Sequence, residues 1–201
     1  MAALDFAMMH DVLQLNHWRR RGRTSLQLLL GCCLAASSLA ADRPWILIDT
    51  KSSTLIVMQG DRAIVNFSDV AIGRGGVAEQ HLRDDNRTPL GTFRVTTIHA
   101  NSPYYRFYGL NYPTLEHALR AWKTGIIDYG TYREISDAIL NHQKPPQDTP
   151  LGGGLGIHGL GNGDRRIHRT FHWTRGCVAL TNEQIDALAR WIEVGTKVVI
   201  N

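Results

Sequence analysis

Apolar and polar positions alternate in short runs through the first half of the chain. Trp45–Asp49 and Thr54–Met58 have the length and β-branched content of strands, with Lys51, Ser52 and Ser53 as the turn between them. Gly60-Asp61 predicts a hairpin turn into a strand over Ala63–Phe67, and Val70–Ile72 is a further short apolar run. Residues 73–88 are glycine-rich and then charged, without apolar periodicity, so they read as a long loop. Thr92–Ile98 alternates at a period of two, as a half-buried strand does.

The period lengthens in the middle of the chain. Thr114 follows Pro113 and caps a helix over Leu115–Lys123, with Gly125 as its stop. Thr131 and Glu134 match a capping box for a second helix running to about His142, before Pro145-Pro146. Thr181 and Gln184 match another, and Ile185, Leu188, Ala189 and Ile192 then fall on one helical face. Gly195 ends that helix, and Lys197–Ile200 is a last strand. The expected fold is mainly β, with a few peripheral α-helices.

Residues 1–41 do not belong to that pattern. Arg19, Arg20, Arg21 and Arg23 precede a mostly apolar stretch from Leu26 to Leu39, and Ser38-Leu39-Ala40 supplies small residues for cleavage. The stretch is shorter than the roughly 20 apolar residues of a membrane span. It reads as a signal peptide, or else as a retained anchor that would associate the protein with the inner membrane. The folded domain is expected over 42–201, in the periplasm.

Charge changes the picture little. The formal net charge is +4, and it is split evenly between the first 41 residues and the rest. No Lys/Arg run follows residue 41, so a nucleic-acid partner is not expected. Cysteine changes it more. With residues 1–41 removed, Cys32 and Cys33 go too, and Cys177 stays alone. A single thiol cannot form an intramolecular disulfide, so it is an inert buried group, an intermolecular bridge or a reactive one.

Its neighbours favour reactivity. A thiol attacks as thiolate and needs a base. Gly176 lets the backbone approach a bound carbonyl, and amides beside Cys177 could stabilise the developing oxyanion. Of the upstream histidines, His158 lies between Ile157 and Gly159 after a run of glycines, as at the end of a short strand beside an open site. The other reading of His158 is a buried histidine bonded to backbone. His168 and His172 sit in a polar, Arg-rich stretch and read as solvated loop residues. Those three histidines and Cys177 are zinc-competent in type. No second cysteine or acidic cluster accompanies them, so neither a metal nor any other cofactor is expected.

His158-Gly159, followed by Thr174-x-Gly176-Cys177, resembles the active-site signature of the L,D-transpeptidase (YkuD) family. Thr88-Pro89-x-Gly91-x-Phe93 resembles a second hallmark of that family. Thr149–Gly153 and Trp173–Cys177 are similar to its YafK-like branch. The resemblance implies a YkuD-like β-sandwich or barrel core and peptidoglycan peptides as acyl donor and acceptor. It implies Cys177 as nucleophile, His158 as base, the Gly159 carbonyl as orienter of the imidazole, and the Gly176 and Cys177 amides as oxyanion donors. Thr174 would shape the loop at the substrate. Arg175 stands where many members have histidine, and a guanidinium there suits a donor carboxylate. Ala179 stands where many have Asn or Arg, which leaves the acceptor side open. Hydrolysis of peptidoglycan or of protein–peptidoglycan links uses the same nucleophile and base. A non-catalytic wall-binding module, with Gly73–Gly76 and Tyr104–Arg106 as its groove, is the alternative from another class.

Overall fold

The computed structural model describes residues 42–201. The expected signal peptide or anchor lies outside the described residues.

Three strands open the fold as an antiparallel meander: β1 (Trp45–Asp49), β2 (Thr54–Gln59) and β3 (Arg62–Phe67). Alternation is visible as burial, because Ile46, Ile48, Leu55 and Val57 are fully enclosed while their sequence neighbours are only partly so. The Asp49 carboxylate accepts the Lys51 and Ser52 amides and the Ser52 hydroxyl, which closes the first turn. Gly60, at φ 56°, makes the second.

Short strands β4 (Val77–Ala78) and β5 (Thr88–Pro89) pair in parallel, β4 inside the stretch expected as a loop and β5 starting at its last residue. Strand β6 runs over Gly91–Ser102, longer than the alternation indicated, because it pairs with β7 (Tyr105–Leu110). That partner has the sequence YRFYGL, whose aromatics hide the period-two pattern.

Helix α1 (Leu115–Lys123) is capped by Thr114 as expected. Helix α2 (Tyr129–Leu140) starts earlier than the Thr131 box suggested. Its cap is Asp128, whose carboxylate accepts the Thr131 amide at 2.7 Å. Strand β8 (Gly156–His158) follows, then α3 (Arg165–Thr170), β9 (Val178–Ala179), α4 (Asn182–Leu188) and β10 (Lys197–Ile200). The Thr181–Gln184 box caps α4 with both reciprocal bonds present.

The large mixed sheet has the order β3-β2-β1-β10-β6-β7-β8-β9. The last strand of the chain is thus inserted at its middle, parallel to β1 and antiparallel to β6. Ile46, Phe93, Val198 and Ile200 join the α4 residues Ile185 and Leu188 in one core. The strand-rich architecture with few helices agrees with the fold class expected.

Candidate active site

Strands β8 and β9 set the chain segments that carry the two candidate residues side by side. They pair in parallel with Ile157 opposite Val178 and His158 opposite Ala179. Side chains alternate across a sheet, so the position two before Ala179 shares its face. That position is Cys177, which therefore falls on the His158 side of this edge. Ile157 and Val178, between them in register, point into the core.

The loop entering β9 is shaped by two threonines. Thr174 is buried; its hydroxyl donates to the Cys177 carbonyl at 2.6 Å and accepts the Gly176 amide at 3.2 Å. Its backbone is tied to the chain beside Val70–Ile72 through Thr174 N to Ile72 O and Arg74 N to Thr174 O. Thr88, also fully buried, accepts the Gly73 amide at 2.9 Å and donates to the Gly176 carbonyl at 3.0 Å. The Thr88-Pro89 segment is therefore joined directly to the cysteine loop. Gly176 has φ 121°, and a Cβ there would stand 2.8 Å from the Arg87 carbonyl and 3.1 Å from His81 Nδ1. Only glycine fits that conformation and that space.

His81 is a residue that sequence reasoning passed over. It is buried behind the loop, with Nδ1 at 2.7 Å from Arg87 O and 2.9 Å from an Asp85 oxygen. A lone histidine in a charged loop gives no pattern to find. Asn182 was missed as well. Its side chain exchanges two hydrogen bonds with the backbone of Gly161 and so pins the loop after His158 to the start of α4.

His158 is 2% exposed, and its Nδ1 lies 2.7 Å from the Gly159 carbonyl. A carbonyl only accepts, so Nδ1 carries the proton and Nε2 keeps its lone pair in the neutral ring. Aromatic rings enclose it: Tyr104 at 4.4 Å, Phe107 stacked at 6.2 Å and Trp173 edge-on at 5.8 Å between centroids. Burial lowers its pKa, partly opposed by the Gly159 carbonyl, and His168 lowers it further. Burial also pushes the Cys177 thiol up to about 11. Resting, the pair is a neutral thiol and a neutral imidazole. The sulfur's hydrogen-bond partner in this state is Gly154 O, at 3.7 Å.

Arg175, two residues before Cys177, is exposed. A cleft of about 410 Å³, lined by Pro103, Tyr104, Leu160, Ile167 and Trp173 among others, touches two of the rings that enclose the imidazole, although neither His158 nor Cys177 lines it. A larger cavity of about 810 Å³, lined by Trp45, Arg94, Trp191 and Lys197, contains none of the candidate residues. Among the described residues, no three His, Cys, Asp or Glu side chains converge as a metal site.

The expectation for His168 is corrected. It is buried in α3, not solvated in a loop. The Asp164 carboxylate caps that helix by accepting the Arg166 and Ile167 amides, which turns His168 inward. His172 is exposed as expected, although its Nδ1 accepts the Ile72 amide at 3.3 Å.

No curated protein matches the sequence. Among solved structures, the helical cell shape determining protein Pgp2 from Campylobacter jejuni is similar, at 19% identity and TM-score 0.55, over 80% of this chain and 48% of that one. Bd1075 from Bdellovibrio bacteriovorus is similar at 22% identity and TM-score 0.52, over 82% and 50%. The chain thus spans about half the length of either, and at these identities the likeness concerns the fold. The sequence model of the YkuD family, described as the L,D-transpeptidase catalytic domain, matches residues 43–200, and with nearly the whole described region inside that match the chain belongs to this peptidoglycan-modifying family.

Proposed function

We propose that the chain is a cysteine-dependent L,D-transpeptidase acting on peptidoglycan stem peptides through a thioester on Cys177. The observation that carries this reading is the His158 imidazole. Its Nδ1 is committed to Gly159 O, its Nε2 is left as a base, and its strand pairs with β9, which begins one residue after Cys177.

A neutral resting pair sets the order of events. The donor peptide enters first, because a thiol held near 11 is scarcely ionised at neutral pH. As Cys177 Sγ attacks the peptide carbonyl, its proton passes to His158 Nε2. The carbonyl oxygen becomes an oxyanion beside the Cys177 amide. The Gly176 amide is already engaged by Thr174, so glycine serves there chiefly through its backbone conformation. His158 then returns the proton to the departing amine, and the thioester remains. An acceptor amine attacks it, gives its proton to His158, and the thiol is regenerated. Exposed Arg175, two residues before the thiol in sequence, would pair with a donor carboxylate. Export to the periplasm, with residues 1–41 as signal or membrane anchor, would bring the enzyme to this substrate, and a role in cell shape like that named for Pgp2 is consistent with it.

The test incubates the protein with disaccharide-tetrapeptide fragments and follows the Cys177 peptide by mass spectrometry. The expected result is an acyl adduct on Cys177, followed by a cross-linked dimer. An adduct released only as trimmed peptide would make water the acceptor and the enzyme a hydrolase. Binding of fragments with no adduct would overturn the enzyme reading in favour of a wall-binding module.

A further inference from the structure

His168 is a buried titratable group that the proposed chemistry does not use. It is 3% exposed, on the inner side of α3. Its Nδ1 accepts the indole N–H of Trp173 at 3.2 Å. Indole nitrogen only donates, so Nδ1 must be unprotonated and the neutral ring carries its proton on Nε2. That Nε2 is buried and makes no well-formed hydrogen bond, with the Asp69 backbone as its nearby acceptor. The ring nitrogen that makes a well-formed bond is the one holding the indole.

Trp173 in turn stands between two features of the site. It packs edge-on against His158, and it forms a wall of the cleft of about 410 Å³. The tilt of this indole therefore governs both how dry the imidazole is and how wide the cleft opens. We infer that His168 is a positioning residue, which holds Trp173 against His158 and so sets the environment of the base. This rests on the proposed role of His158.

The device depends on protonation. A proton on His168 Nδ1 would set donor against donor, and the indole would be released. The charged and titratable groups around His168 are Asp69 from the turn after β3, Arg169 on its own helix and His158 on β8. Burial disfavours the charged ring most, Asp69 favours it through its carboxylate and its backbone, and Arg169 opposes it.

Three variants test the inference: His168→Leu removes the acceptor, His168→Asn keeps one at the Nδ1 position, and Trp173→Phe keeps a ring without the N–H. The titration of the His158 ring is followed by NMR, alongside the pH profile of Cys177 adduct formation. In His168→Leu and Trp173→Phe the His158 midpoint should move up towards the ordinary histidine value. The adduct rate at mildly acidic pH should fall on the order of five-fold, the size of one buried hydrogen bond. His168→Asn should restore most of both. An unmoved His158 midpoint in Trp173→Phe overturns the inference, including where His168→Leu fails to fold. If the unaltered protein forms no adduct at all, the catalytic reading fails instead, and the midpoints still decide this one.

Discussion

Replacing Thr88 with valine removes one hydroxyl and leaves the shape of the side chain. Two partners lose their bond together: the Gly73 amide at 2.9 Å and the Gly176 carbonyl at 3.0 Å, in surroundings that hold Thr88 at zero exposure. A buried polar group left unpaired costs about 1–3 kcal/mol, so two give about 2–6 kcal/mol. For a domain of about 160 residues, an unfolding entropy of about 2.1 cal/mol/K per residue makes 1 kcal/mol worth roughly 3 °C. Thr88→Val should therefore lower Tm by about 6–18 °C by calorimetry. Thr88→Ser, which keeps the hydroxyl, should recover most of it. Adduct formation on Cys177 should fall further than unfolding explains, because the Gly176 carbonyl is part of the turn that presents the thiol. A Tm within 3 °C of the unaltered protein would refute the view that this threonine joins the two loops.

Cys177→Ala should abolish adduct and product while leaving Tm nearly unchanged, as mass spectrometry and calorimetry on one preparation can show. His158→Ala should cut turnover on the order of 10²- to 10⁴-fold, the usual loss for a general base, and an active variant would displace His158 from that role. Gly176→Ala forces a Cβ to 2.8 Å from the Arg87 carbonyl at φ 121°, so both Tm and adduct yield should drop. Stability should also follow pH with a fixed sign. Burial lowers the native pKa of His117, His158 and His168, so their contribution is full above about 6.5 and is lost as pH falls through the lowered native values. The Cys177 thiol is raised, so its contribution is full below 9.0 and is lost as pH rises towards about 11. Tm scanned from acid to alkaline pH should form a plateau between those limits, and a Tm that climbs below pH 6 would contradict the burial of these rings.

Local signals carried much of the fold. Thr114, the Thr181–Gln184 box and Gly60 speak through contacts within a few residues, and the structure uses each where the chain places it. What was hidden is non-local. Nothing in Lys197–Ile200 says that it enters the sheet between β1 and β6, since that placement depends on partners a hundred or more residues away. Strand β7 was masked by aromatics on successive positions. Helix α3 had its signal in Asp164, but six residues rich in arginine show little apolar periodicity. At the site, the motif singled out His158 and Cys177, and the pairing of β8 with β9 sets their two chain segments side by side. The supports were not legible: Asn182 acts across 21 residues, and the partners of His81 and His168, though only four to six residues away, lie in segments with no apolar period to point to them.

The protonated resting state of Cys177 bears on chemical durability. Peroxide and disulfide exchange consume thiolates, and a sulfur held near 11 is ionised to only about one part in 10⁴ at pH 7. Sulfenic acid formation and mixed disulfides should therefore be slow while no peptide is present. Small alkylating reagents should label Cys177 sluggishly for the same reason. Electrophiles that mimic a peptide carbonyl, and so recruit the imidazole as proton acceptor, should label it fast. Selective inactivation of this protein would then depend on warheads that use His158, and the intrinsic reactivity of the reagent would matter little.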